Sequence, residues 1–120
     1  MINKNGFEDY IASIDIFKEL NFAITICDKS LKIVYMNDKA MDTFKENGYL
    51  IGKNLLDCHK DASKEKIQFL LDEGKTNVYT IDKKGVKKLI YQTPWYKEGK
   101  IEGLMEISCE IPKDMPHFIR

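Results

Sequence analysis

Residues 24–37 read ITICDKSLKIVYMN, two short apolar runs with a polar turn between them. The runs 22–27 and 32–36 are rich in β-branched and aromatic side chains, which is typical of buried strands. The Asp-Lys-Ser sequence between the runs favours a tight turn. The stretch therefore predicts a β-hairpin that ends at Asn37, whose side chain can cap the helix that follows.

Two helical stretches and a run of short turns come after the hairpin. Residues 37–48 carry apolar side chains at helical spacing and end at a glycine, which predicts a helix. Residues 52–63 contain two adjacent leucines among turn-forming residues and are expected to make short turns. Residues 64–73 predict a second helix, with Ser63 as its N-cap and a glycine after its last turn.

The last third of the chain predicts three strands, over residues 76–82, 86–96 and 101–111. Polar and apolar side chains alternate along much of these runs, as they do in strands with one buried face. Pro94 cannot donate a backbone hydrogen bond, so it marks a sheet edge, a bulge or the end of its strand.

The segments on either side of this region are expected to be separate elements. Residues 7–20 place apolar side chains three and four apart, which predicts an amphipathic helix in an N-terminal segment, 1–20. Residues 113–120 contain a proline and are expected to form a C-terminal tail. Residues 21–112 then make one α+β domain, a five-stranded antiparallel sheet with helices on one face.

Composition excludes several classes of protein. The chain has 19 basic and 19 acidic side chains, which argues against nucleic acid as a partner. Three widely spaced cysteines imply no disulfide framework and favour a reducing, cytoplasmic location. No run approaches the roughly 20 apolar residues that cross a bilayer, so no membrane partner is expected.

Five passages resemble the PAS family of sensory domains. The resemblance covers about residues 21–112. It is carried by the hairpin quoted above, NDKAMDTF at 37–44, LIGKNLLD at 50–57, GKIEG at 99–103 and EIP at 110–112.

The resemblance implies a non-catalytic, bacterial-type signalling module with a pocket between the sheet and its helices. Such a module binds a small molecule or a partner protein, such as a kinase or a regulator, and the sequence names no ligand. The amphipathic N-terminal helix resembles one through which PAS domains pair, so a homodimer is expected, with Tyr10, Ile14 and Phe17 in the contact. A protein-interaction domain without any ligand is an alternative.

Aromatic and polar side chains are candidates for the walls of such a pocket. A core of this size needs aromatic residues in any case, so many of them can be ordinary packing. Ligand pockets are mostly apolar with a few polar groups. The candidates are Thr25, Tyr35, Asn37, Phe44, Leu55, Phe69, Tyr79, Tyr91 and Ser108, with Trp95, Tyr96 and Gln92 as further aromatic and polar residues around the cavity.

Flavin and haem are the cofactors that the resemblance raises. Light-sensing members carry a cysteine at the position of Leu55, and Cys58 lies about one helical turn further on, so flavin photochemistry is not expected. Members that bind haem usually ligate it with a histidine from the longer helix. The predicted helix over residues 64–73 contains no histidine, so haem is not favoured either. His59 is the one nearby imidazole, and a haem- or metal-binding sensor that uses it is the second hypothesis.

Metal binding and catalysis have little support in the sequence. Cys58 and His59 with a remote His117 fall short of the four ligands that structural zinc requires. Cys58 is also a redox candidate, although a half-buried structural thiol is the simpler interpretation. There is no P-loop and no nucleophile motif. Glu106 and Glu110 are expected to be solvated strand residues, so no enzyme is predicted.

Overall fold

The computed structural model describes residues 15–58 and 61–120, without the side chains of residues 58, 61 and 62. These residues form one sheet and several helices. In chain order the elements are β1 (Ala23–Asp28), β2 (Ile33–Met36), α1 (Asp38–Thr43), 3-10 helices at Lys45–Asn47 and Leu55–Cys58, α2 (Asp61–Glu73), β3 (Asn77–Lys83), β4 (Val86–Lys97) and β5 (Lys100–Glu110).

The five strands form one antiparallel sheet in the order β2-β1-β5-β4-β3. The first and last strands lie side by side at its centre, with Thr25 opposite Glu106 and Cys27 opposite Leu104. This pairing joins the early hairpin to the three late strands in a single sheet. The predicted fold class, α+β with a five-stranded antiparallel sheet, is confirmed.

The hydrophobic core lies between one face of the sheet and the helices. Alternate residues of β1 point to that face, and Ala23 and Cys27 among them pack in the core cluster. Helix α2 contributes Ile67, Leu70 and Leu71 on its buried side. The remaining buried members are Leu31, Ile33, Met36, Ala40, Leu50, Leu55 and Leu104.

The segment before the second 3-10 helix pairs with the hairpin. The Leu55 N–H donates to the Leu31 carbonyl at 2.7 Å, and the Ile33 N–H donates to the Lys53 carbonyl at 2.8 Å. These bonds give part of the predicted turn region, residues 52–63, a fixed place beside β2. They also bring Leu55 into the core, where its side chain is 6% exposed.

Pro94 lies where the sequence predicts a break in pairing. It is opposite Leu104 of β5, while the pairing of β4 with β3 stops at Gln92, so no neighbour on that side needs its missing N–H. A bulge follows directly between Trp95 and Tyr96. The prediction of an edge or a bulge at this proline is confirmed.

Gly103 allows two strands and an indole ring to meet closely. The Trp95 Nε1–H donates to the Cys27 carbonyl at 2.9 Å, and this bond passes over Gly103. A Cβ atom at position 103 would lie 2.5 Å from the Trp95 nitrogen and 1.9 Å from the Cys27 oxygen. The absence of a side chain is therefore required at this position.

The N-terminal helix is not borne out where the structure describes it. Residues 7–14 lie outside the described residues, and residues 15–20 form a turn rather than an α-helix. Asp15 Oδ1 accepts hydrogen bonds from the N–H groups of Phe17 and Lys18, at 3.3 and 3.1 Å, which holds the chain in a turn. The prediction is wrong for these six residues because Asp15 and the neighbouring hairpin bind their backbone groups.

Two helix boundaries also differ from the prediction. Helix α2 begins at Asp61, so Ser63 lies inside the helix and is not its N-cap. The helix predicted over 37–48 is a short α-helix that stops at Thr43, followed by a separate 3-10 turn. The Thr43 hydroxyl bonds the Lys39 carbonyl at 2.9 Å, and such local bonds are known to bend or weaken helices. Among the described residues there is no helix with the length and apolar character needed to cross a membrane.

Candidate ligand-binding cavity

A cavity of about 190 Å³ lies between the helix-bearing face of the sheet and the end of α1. Four of the five strands supply its walls, because alternate residues of each strand point to this face. Its lining residues are Ala23, Thr25, Thr43, Phe44, Tyr79, Ile81, Lys83, Lys88, Ile90, Glu106 and Ser108.

The strand register arranges this face in rows across the sheet. Residues directly opposite each other on paired strands share a face. One row is polar and contains Thr25, Glu106, Gln92 and Asn77; the next contains Ala23, Ser108, Ile90 and Tyr79; the third contains Glu110, Lys88 and Ile81. The cavity therefore has a carboxylate at one end, apolar side chains in the middle and ammonium groups at the other end.

The polar row is a directional chain of hydrogen bonds. Asn77 Nδ2 donates to Gln92 Oε1 at 2.9 Å, and Gln92 Nε2 donates to Glu106 Oε1 at 2.9 Å. Gln92 is 4% exposed, so its amide is held in place by these two neighbours. Glu106 is half-buried at the end of this chain and presents its carboxylate to the cavity.

The ring of Tyr79 lies close enough to Glu106 to respond to its charge. Burial raises the pKa of the Tyr79 phenol, and the negative charge of Glu106 raises it further. Both effects disfavour the phenolate, so Tyr79 keeps its proton at neutral pH and can donate a hydrogen bond.

Three hydroxyl groups in the cavity wall have unused hydrogen-bonding capacity. Within the described part of the chain, the side chains of Thr25, Ser108 and Tyr79 make no hydrogen bond, whereas buried polar groups in proteins usually have a partner. No buried side-chain nitrogen or oxygen among the described residues lacks a partner, so the Thr25 and Ser108 hydroxyls are accessible rather than sealed in the core, and Tyr79 is itself 42% exposed. A bound molecule can satisfy them.

Phe44 forms part of a second cavity as well. This cavity, of about 260 Å³, is lined by Phe44 with Met36, Met41, Lys45, Gly48, Tyr49 and Leu50. Because Phe44 belongs to both linings, its side chain is part of the wall between the two spaces.

Comparison with solved structures identifies the architecture. The PAS domain of the histidine kinase ThkA is 21% identical to this chain and matches it with a TM-score of 0.59, over 75% of this chain and 99% of that one. The chain has the PAS fold. The Aer2 receptor of Vibrio cholerae, described as a dual PAS-haem oxygen sensor, is 15% identical with a TM-score of 0.59, over 76% of this chain and 95% of that one.

A third similar structure contains DNA. VqmA of Vibrio cholera, solved as a complex with ligand and DNA, is 16% identical with a TM-score of 0.64, over 84% of this chain and 51% of that one. VqmA is thus a similar protein that binds DNA, and this match weighs against the expectation, drawn from the balanced charge of the chain, that nucleic acid is not a partner. No protein-family model and no curated protein matches the chain.

The PAS fold brings four of the predicted pocket residues together. Thr25, Phe44, Tyr79 and Ser108 all line the cavity of about 190 Å³. Gln92, the further polar candidate, lies behind Glu106 in the polar row.

The other five predicted pocket residues lie elsewhere in the PAS fold. Asn37 and Leu55 are buried, at 1% and 6% exposure, but are outside the cavity lining. Tyr35 and Tyr91 belong to the opposite face of the sheet, and Phe69 is 46% exposed on α2 with Lys66 Nζ 5.3 Å from its ring centre.

Asn37 has a structural role at the junction of three segments. Its Oδ1 accepts from the Ile24 N–H at 2.9 Å and from the Ala40 N–H at 3.0 Å, the second bond being the predicted cap of α1. Its Nδ2 donates to the carbonyls of Phe17 and Phe22, at 2.9 and 2.8 Å. Every strong hydrogen-bonding position of this amide is thus used inside the protein.

Glu106 is the main residue that sequence analysis assigned wrongly. It was expected to face solvent with Glu110, and Glu110 is exposed, but Glu106 lines the cavity. The available signal was its shared face with Ser108, a predicted pocket residue two positions away. Lys83 and Lys88 were also not predicted for the site, because lysines beside a turn usually indicate a solvated loop.

The proposed metal and dimer residues lie largely outside the described part of the PAS fold. His59, Tyr10 and Ile14 are outside the described residues, and the side chain of Cys58 is not described. Within residues 15–58 and 61–120, no three His, Cys, Asp or Glu side chains come together as metal ligands. Phe17 is in the described turn and is 49% exposed.

Proposed function

We propose that this chain is a non-catalytic sensory module that binds a small molecule in the cavity of about 190 Å³ and relays its presence to a partner. The observation that carries the proposal is the cavity itself, with a carboxylate, three unpaired hydroxyls and two lysines around an apolar middle. Such a combination of apolar surface and a few polar groups is what small-molecule sites require.

The size of the cavity limits what it can hold. An apolar cavity of about 150 Å³ engineered in another protein binds benzene. A space of about 190 Å³ therefore suits a molecule with a single ring and one or two substituents. Drug-sized ligands occupy roughly 300–1,000 Å³, so a haem group is not favoured in this space. The alternative of a haem- or metal-binding sensor rests on His59 alone.

Helix α1 connects the cavity to the N-terminal segment. Thr43 and Phe44, at its C-terminal end, line the cavity. At its N-terminal end the Asp38 N–H donates to the Lys18 carbonyl at 2.9 Å, and Lys18 Nζ pairs with the Asp38 carboxylate at 3.1 Å. This ion pair raises the pKa of Lys18. A ligand that displaces Phe44 therefore acts through a six-residue helix on residues 15–20.

The receiver of the signal is proposed to be a second copy of the chain, paired through Tyr10, Ile14 and Phe17, or a signalling protein such as a kinase or a regulator. A shift of the segment at 15–20 would change the population of two arrangements of that contact. The proposal places the module in the cytoplasm. A protein-interaction domain without ligand differs from it in one respect, namely that the cavity would stay empty.

Binding is tested with a variant that fills the cavity. Ser108→Leu places a larger side chain on the wall, and Ser63→Leu makes the same change at an exposed position of α2 as a control. Native mass spectrometry of the purified protein should show a bound small molecule in the parent and the control but not in Ser108→Leu. A bound mass that persists in Ser108→Leu would place the ligand elsewhere.

The relay is tested by amide hydrogen exchange with and without the bound molecule. Protection should change at residues 15–20, while Lys29 and Ser30, exposed turn residues outside the cavity lining, serve as the internal control. Ligand-dependent protection confined to the cavity strands would contradict a relay through α1.

A further inference from the structure

We infer that the molecule recognised by this cavity is a hydrogen-bond donor, a small apolar compound whose ammonium, N–H or O–H group binds the Glu106 carboxylate. The inference rests on the proposed function, because it specifies the chemistry of a ligand in the same cavity.

The first argument is the direction of the hydrogen-bond chain. Asn77 donates to Gln92, and Gln92 donates to Glu106, so both hydrogen bonds run in the same direction, toward the cavity. An ionised carboxylate can only accept hydrogen bonds. The chain therefore ends in an acceptor, and a ligand that contacts it must donate.

The second argument is that the Glu106 carboxylate can accept further hydrogen bonds. Gln92 binds its Oε1, and among the described residues no side chain or N–H group donates to its Oε2. Thr25 lies directly opposite Glu106 on β1 without bonding to it. A half-buried carboxylate with a free oxygen gains more from a donor than a solvated one, because little water competes for it.

The third argument concerns the two lysines at the other end. Lys83 is exposed, so water screens its charge, while Lys88 is half-buried like Glu106 and lies directly opposite the Glu110 carboxylate on β5. Gln92 and Lys88 are four residues apart on β4, which is about 13 Å along the strand. A molecule that fits a cavity of about 190 Å³ and packs against Glu106 thus meets the lysines only at their flexible ends.

The cavity walls between the Glu106 end and the lysine end suit the apolar part of a ligand. Phe44, Tyr79, Ile81 and Ile90 provide two aromatic rings and two branched aliphatic side chains. Aromatic faces also attract a cation, which favours an ammonium group over an anionic substituent. The Ser108 and Thr25 hydroxyls can accept a second hydrogen from a primary ammonium.

Four probes of nearly equal size separate the possibilities: benzylamine, benzyl alcohol, toluene and benzoate. Each is titrated into the purified protein and followed by two-dimensional amide NMR. Benzylamine and benzyl alcohol should bind at least about tenfold more tightly than toluene, since one charge-assisted hydrogen bond is worth about that factor. Benzoate should bind most weakly, because its carboxylate approaches Glu106.

Glu106→Gln tests whether the carboxylate is the cause. The amide oxygen can still accept from Gln92, but the charge is lost, so the preference for benzylamine over toluene should largely disappear. Glu110→Gln removes the same charge from an exposed position of β5 and should leave the preference unchanged. Glu106→Asp keeps the charge on a shorter side chain and should retain part of the preference.

The outcomes distinguish the inference from the function on which it rests. Equal or tighter binding of toluene or benzoate in the parent would overturn the donor chemistry and leave a ligand-binding cavity. An unchanged benzylamine preference in Glu106→Gln, with a folded amide spectrum, would also overturn it. Binding of none of the four probes, together with no bound mass in the purified protein, would remove the proposed function itself.

Discussion

Asn37 joins three parts of the molecule through one side-chain amide. It holds the turn at residues 15–20, the start of β1 and the first turn of α1, and it is 1% exposed. The sequence indicated that Asn37 could cap a helix. Its contacts with the Phe17 and Phe22 carbonyls could not be predicted, because they depend on where a segment fifteen to twenty residues earlier lies.

Replacement of Asn37 by aspartate should destabilise the fold. The capping oxygen remains, but the two N–H donors are replaced by an oxygen that faces the carbonyls of Phe17 and Phe22. Loss of two buried hydrogen bonds, with a repulsion in their place, should lower the free energy of unfolding by about 3 kcal/mol. Urea unfolding measures this value. Asn47→Asp, an exposed change of the same kind, should alter stability by less than about 0.5 kcal/mol.

Cys27 should be an unreactive thiol. It is 1% exposed, and burial raises its pKa to about 11. Because the thiolate is the reactive form, iodoacetamide at pH 8 should label Cys27 at least about tenfold more slowly than half-buried Cys109, as read by peptide mass spectrometry. Equal labelling rates in the folded protein would contradict its burial.

The same thiol makes a pH-dependent contribution to stability. Its pKa is raised in the folded state above the ordinary value of about 8.5, so the contribution is complete below that pH. It is lost as pH rises through the folded pKa of about 11. Cys27→Ser should reduce the loss of stability that occurs between the ordinary pKa of the thiol and its folded pKa of about 11.

At the scale of elements, the contact between β4, β5 and β1 depends on Gly103. Gly103→Ala should destabilise the protein by at least about 2 kcal/mol, because the new methyl group would overlap the Cys27 carbonyl and displace the Trp95 indole. Thermal unfolding and the near-ultraviolet signal of the single tryptophan both report this change.

A glycine in a turn provides the control. Gly99 has a φ of 78°, and a Cβ atom added there would meet no atom within 4 Å. Asparagine tolerates this φ better than most residues, so Gly99→Asn is the control substitution. It should cost less than about 1 kcal/mol. A similar loss for both variants would mean that conformation, rather than the close approach at Gly103, determines the effect.

Phe44, which follows α1, should determine the largest ligand that the cavity accepts. Phe44→Ala removes a shared part of the wall and should connect the spaces of about 190 and 260 Å³. A two-ring probe, 1-naphthylmethylamine, should then bind at least about tenfold more tightly than to the parent, measured by amide NMR. Tyr49→Ala, on the second cavity alone and 68% exposed, should leave this selectivity unchanged.

The alternation of strand residues was sufficient to predict the elements of the sheet but not the chemistry of its cavity. Glu106, Gln92 and Asn77 come from three strands, and their alignment depends on the register of β3, β4 and β5. A shift of one residue in either pairing would turn the Gln92 or Asn77 side chain to the other face. Sequence patterns predict which residues share a face within one strand. They do not predict which residues lie opposite each other on neighbouring strands.

At the scale of the whole molecule, the pairing of two copies is the central prediction. Phe17 is 49% exposed next to α1, and Tyr91 and Val78, on the sheet face opposite the helices, are 39% and 50% exposed. Sedimentation equilibrium of the parent should give twice the mass of one chain. Phe17→Asp should shift the mass toward that of a monomer, because a charge at a buried contact is unfavourable.

A tail residue supplies the matched control for this experiment. Phe118→Asp makes the same change at a side chain that is 71% exposed and is not among the proposed contacts. Its mass should remain that of the parent. A monomeric parent at all concentrations would contradict pairing and would leave a signalling protein as the receiver.

The central position of β1 between β2 and β5 has a consequence for synthesis on the ribosome. The early hairpin leaves the exit tunnel with one of its edges unpaired, and the strand that completes it is made about eighty residues later. The nascent chain must keep that edge from pairing with other chains until β5 arrives, since open strand edges promote aggregation. Slow translation of the β3–β4 region should therefore lower the soluble yield more than slow translation after residue 112.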